Sequence, residues 1–241
     1  MKFVPSSLLA LVLLGSSIAL AKDLPKAPEL DLSISYYSKV LTPEGVTREA
    51  RYQDNMQRRD GHIWLYRVLP KAGGAAHDHE APTVKKNNTK KNSEDTHQHF
   101  NHVLVPRHVT FENNKVQLEY IDTVNKIRIS IPPADYGNVN FDGSWENSYF
   151  LVDPKLVKAM PISKRVSNVP NAVWYEREKN GAFQRVLWDE QRQIPLIIEN
   201  GDKASSSYRL IEIQVSNKLS KETPWKNTKG YAQKEYSDFL D

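Results

Sequence analysis

Six of the seven histidines in this chain fall between His77 and His108, and several have the spacing of metal ligands. His77-Asp-His79 and His97-Gln-His99 are His-x-His pairs, and His102 follows three residues after His99. Neutral imidazole binds borderline divalent ions. His77, His79, His97, His99 and His102 could therefore surround zinc, copper(II) or nickel, with Asp78 or Glu80 adding an oxygen. With no cysteine and three methionines, a site selective for copper(I) is disfavoured. The competing reading is a solvated, low-complexity tract whose histidines hold nothing. A second group of interest is aromatic: Phe141, Trp145, Tyr149 and Phe150 could line a cavity for an apolar ligand or fill a core.

No catalytic constellation accompanies these residues. Ser163 and the run Ser205-Ser206-Ser207 lack a nucleophile elbow, and there is no Gly-rich phosphate loop. His-x-His is not the His-Glu-x-x-His helix of zinc proteases. The expectation is a protein that binds rather than catalyses.

The elements that must position these residues are mostly strands. Leu30, Leu32, Ile34 and Tyr36 alternate with Asp31, Ser33 and Ser35, the period of a half-buried strand. Thr42-Pro-Glu-Gly45 has turn chemistry, a more polar strand follows over residues 46–56, and a third over 63–69 lies beyond Asp60-Gly61. The segment 71–94 has almost no large apolar residue and cannot offset the entropy of ordering, which predicts a mobile loop. Beyond it, 102–105, 109–111, 116–121 and 126–131 are apolar, the last two strand-like. Residues 138–146 read as an ordered loop with aromatic anchors. Asp153-Pro154 ahead of 155–160 matches a helix cap followed by proline in the first turn. Asn180-Gly181, between two apolar runs, predicts a hairpin, because both residues tolerate positive φ. In the last strand Ile211, Ile213 and Val215 share one face while Glu212 and Gln214 take the other.

Lys2, the apolar run 8–14 and Ala19-Leu20-Ala21 make residues 1–21 a cleavable signal peptide, so the mature chain is expected in the periplasm. No cysteine follows the cleavage site, which excludes lipidation there. Nothing later is apolar enough to span a bilayer as a helix. An exported chain without cysteine must rely on packing rather than disulfides. The net charge of +4 falls to +3 once Lys2 is removed, and it is interleaved with acids, too mild to indicate nucleic acid. The division expected is a β domain over 22–215, interrupted by the His-rich loop at 71–99, and an aromatic tail over 216–241, docked through Trp225, Tyr231 and Phe239 and read as helical.

The stretch Arg185-Val-Leu-Trp-Asp-Glu-Gln-Arg-Gln-Ile-Pro-Leu-Ile-Ile-Glu199, followed by the strand at 208–215, resembles the LolA/LolB and RseB (MucB) group of periplasmic proteins. The resemblance is specific over residues 173–215. It implies a mainly β (α+β) fold: a single strongly curved antiparallel sheet, or half-open barrel, with one or two short helices packed on its concave face. It further implies a non-enzymatic protein that holds a lipid-like apolar ligand or a periplasmic protein partner. A divalent-metal binding or delivery role for the His-rich loop is the alternative.

Overall fold

The computed structural model describes residues 27–70 and 101–239. The expected signal peptide and four of the five candidate ligands (His77, His79, His97 and His99) lie outside these residues. The described residues form one large, curved, unclosed sheet with a few short helices. Its strands are β1 (Leu30–Leu41), β2 (Thr47–Arg59), β3 (His62–Arg67), β4 (Arg107–Glu112), β5 (Lys115–Asp122), β6 (Ile127–Ile131), β7 (Ala172–Lys179), β8 (Ala182–Asp189), β9 (Ile194–Asp202), β10 (Ser207–Val215) and β11 (Ala232–Glu235).

Two meanders, β1 to β6 and β7 to β10, join through the antiparallel pairing of β1 with β10. The spatial order is β11-β6-β5-β4-β3-β2-β1-β10-β9-β8-β7. The turn chemistry accounts for the hairpins. Asn180 and Gly181 both have positive φ, 52° and 77°, and Lys179 faces Ala182 across the turn. The tail departs from its helical reading, because β11 extends the sheet by pairing parallel to β6.

Alternation decides which side chains are covered. Leu30, Leu32 and Ile34 stand opposite Arg58, Met56 and Asp54, so these six residues share one face. That face carries the main core, and over it lie the 3-10 helix Pro133–Val139 and α1 (Trp145–Phe150). α2 (Pro154–Lys158) covers β7 to β9, where Val157 and Met160 pack with Tyr175, Val186 and Trp188. Asp153 caps α2 by accepting from the Lys155 amide at 2.8 Å, with Pro154 in the first turn as the sequence indicates. The loop expected over 138–146, by contrast, gives way at its last two residues to a capped helix, α1. Ser144 Oγ accepts from the Asn147 amide at 3.0 Å, and Leu151 ends the helix in the left-handed region.

One buried cation pins this covering layer to the sheet. Arg58 is fully buried, and backbone carbonyls hold it. Nη2 donates to Pro28 O at 2.8 Å and Arg192 O at 2.7 Å, and Nη1 to Gln193 O at 3.3 Å and Tyr149 O at 3.4 Å. Its guanidinium also sits 5.0 Å from the centre of the Tyr149 ring. Burial lowers its pKa to about 10, so it stays charged at neutral pH.

Candidate functional site: a polar cavity at the end of the covered face

Following the strand register across the covered face leads from an apolar core into a polar cavity. The row Leu32, Met56, Leu65, Arg107, Tyr120 and Ile129 begins and ends apolar but holds a guanidinium and a phenol in its middle. The next row sets Ile213, Ile34, Asp54 and Arg67 side by side, and the row after it pairs Tyr36 with Tyr52. Around these groups is an open cavity of about 300 Å³, with Val139 of the 3-10 helix and Val105 adding apolar wall. This volume is at the small end of the range of ligand sites.

The cavity is electrostatically uneven. Asp54 is buried, but Arg67 Nε reaches its carboxylate at 2.5 Å, and the Arg67 guanidinium lies 4.0 Å from the centre of the Tyr52 ring. Tyr36 stacks on Tyr52 at 4.4 Å. Burial, reinforced by the Asp54 charge, pushes the Tyr36 hydroxyl well above its ordinary value, so it remains a neutral donor. Burial also raises Tyr120, against the opposing charge of the adjacent Arg107. Arg107 differs from Arg67. Among the described residues no carboxylate lies within 4 Å of it, and its Nε is buried without a hydrogen-bond partner. Such a donor is costly to leave unmade.

The residues singled out in the sequence are distributed differently. His102 borders the cavity, with its ring 6.0 Å from that of Tyr120. Among the described residues no group of three or more His, Cys, Asp or Glu could hold a metal ion. Phe141, Trp145, Tyr149 and Phe150 pack with the main core beside the cavity. Trp145 stacks on Phe111 at 5.3 Å and lies 4.9 Å from Tyr149, whose ring meets Phe150 edge-on. Sequence reasoning missed Tyr36, Tyr52, Asp54, Arg67, Arg107 and Tyr120 as a group. The available signal was Met56: placing it on the covered face sends Asp54 and Tyr52 inward with it.

The opposite face carries a second cluster. There the C-terminal segment crosses the sheet, tied down by Asp31, whose carboxylate accepts from the Ser220 amide at 2.5 Å, and by Arg59, which donates to Ser220 O at 3.2 Å. It then lays Trp225 over two histidines, 5.0 Å from the His62 ring and 5.6 Å from the His108 ring. His62 Nδ1 and His108 Nε2 are 3.2 Å apart, a contact in which one ring donates and the other accepts. Burial, aided by His108, lowers the His62 pKa. Beyond His108, Glu119 accepts from Arg128 at 2.7 Å. Burial opposes the ionisation of Glu119, but His108 and Arg128 outweigh it and hold the carboxyl below its usual range.

No family model and no curated protein matches the sequence. Solved structures with a similar arrangement include PNGF-II, at TM-score 0.35 and 8% identity over 88% of this chain; the chain spans 33% of that protein. The MucA/MucB complex of Pseudomonas aeruginosa gives a TM-score of 0.33 and 10% identity, over 79% of this chain and 53% of the other. A LolA superfamily protein from Nitrosomonas europaea gives 0.33 and 7%, over 83% and 90%. The groups named by the resemblance at residues 173–215 are thus among these neighbours, while the functional reading rests on this chain's own geometry.

Proposed function

We propose that this is an exported, non-catalytic binding protein that holds a lipid-like ligand on the covered face of its sheet, in the cavity between β1 to β5 and the 3-10 helix. The observation that carries the reading is the cavity itself, which has apolar walls at Leu65, Val105 and Val139. Each methylene that a ligand buries against such walls contributes about 0.8 kcal/mol. Export is supported by Lys2, the apolar run 8–14 and the Ala19-Leu20-Ala21 site. A polarity-sensitive dye should bind the mature chain and be displaced by acyl-chain amphiphiles. Leu65→Trp, which fills the cavity, should abolish that binding while the protein stays folded. Dye binding that acyl chains leave untouched would count against the reading.

A further inference from the structure

We infer that the cavity selects an aliphatic monocarboxylate, with Arg107 as the residue that recognises its head group. The inference rests on the proposed ligand-binding reading and adds to it the chemistry of the head.

The charge balance of the cavity supports a monoanion. The carboxyl and guanidinium side chains that border it among the described residues are Asp54, Arg67 and Arg107. Asp54 and Arg67 pair with each other at 2.5 Å, which leaves Arg107 as the guanidinium not paired with a carboxylate. The Arg107 Nε is buried and without a partner, in contrast to the fully occupied nitrogens of Arg58. A guanidinium edge presents two parallel N–H groups, the geometry that a carboxylate meets with both oxygens. Tyr36 and Tyr120, kept neutral by burial, border the same cavity, and the Tyr120 side chain hydrogen-bonds that of Arg107. A dianion would leave one negative charge uncompensated in a partly desolvated site. Leu65, Val105 and Val139 are the wall for the chain that follows the head.

The test compares ligands that share a chain or share a head. Dodecanoate, 1-dodecanol, acetate and inorganic phosphate are titrated into the mature protein by dye displacement and calorimetry. Dodecanoate should bind at least about ten-fold more tightly than 1-dodecanol, as expected when one charge-assisted pair is gained. Acetate and phosphate alone should bind far more weakly than dodecanoate. Arg107→Gln should bring the ratio of dodecanoate to 1-dodecanol affinity down towards one, and Arg107→Lys should recover only part of that ratio. Equal binding of dodecanoate and 1-dodecanol by the unaltered protein needs no variant to interpret. It would overturn the role of Arg107 and leave the ligand-binding reading standing. An unchanged preference in a folded Arg107→Gln would do the same. Tight binding of phosphate alone would replace the aliphatic carboxylate with a free anion. Binding of neither long-chain compound would overturn both the inference and the reading beneath it.

Discussion

Arg58 and Asp54 show why the most consequential polar residues of this fold are hard to find in a sequence. Both stand on β2, whose mostly polar composition suggests a solvated strand, yet both are buried. Their inward direction follows from the register with β1, a long-range fact that period-two alternation alone does not supply. Arg58→Met keeps most of the side-chain volume but strips donors from carbonyls of Pro28, Tyr149, Arg192 and Gln193. Each buried acceptor left unmade costs about 1–3 kcal/mol, so urea unfolding should show a loss of at least about 3 kcal/mol. A loss below about 1 kcal/mol would mean that the guanidinium does not hold the layers together. The histidine pairs were the most visible chemistry in the sequence, and of the five candidate ligands His102 is the one among the described residues. Titration with zinc, copper(II) and nickel should give several weak events that survive His97→Ala/His99→Ala. One tight event lost in that variant would establish the metal role instead.

At the scale of elements, local chemistry was a good guide where one or two residues decide the backbone. Asn180-Gly181 makes the β7–β8 hairpin and Asp153-Pro154 starts α2. It failed where pairing is non-local: nothing in residues 232–235 announces a strand that joins β6 in parallel. The docked tail should be sensitive to pH through His62. Its folded pKa lies below the unfolded value of about 6.5, so the unfolded chain binds the extra proton first. The contribution of neutral His62 to stability is therefore complete above about pH 6.5 and is lost as pH falls below it. Asp60 and Glu112 favour its protonation, while His108 and Lys226 oppose it. Protection against hydrogen exchange at residues 224–235, relative to the intrinsic rate at each pH, should fall between about pH 7 and 5, and His62→Gln should flatten that dependence. An equal fall in the variant would place the sensitivity elsewhere. The segment 71–94 should be dispensable, because β3 and β4 already pair directly, Leu65 with Arg107. Its deletion should lower the thermal midpoint by less than about 8 °C, given the weak dependence of closure entropy on loop length.

For the whole molecule, the fold class was legible because alternation, turn residues and missing cysteines all pointed to an extended antiparallel sheet with a packed core. The site was not, because it arises from residues 36, 54, 67, 107 and 120, which only the spatial order of β1 to β5 brings together. The cavity lies on the covered face of β1 to β5, where charged and aromatic residues replace aliphatic ones. The claim that this cavity holds a lipid-like ligand is tested most directly by native mass spectrometry of the protein purified from the periplasm, before and after delipidation. The account predicts a co-purifying amphiphile that delipidation removes and added acyl-chain ligand restores at one per chain. A chain that carries no such mass at any stage, and takes up none when it is offered, would contradict it.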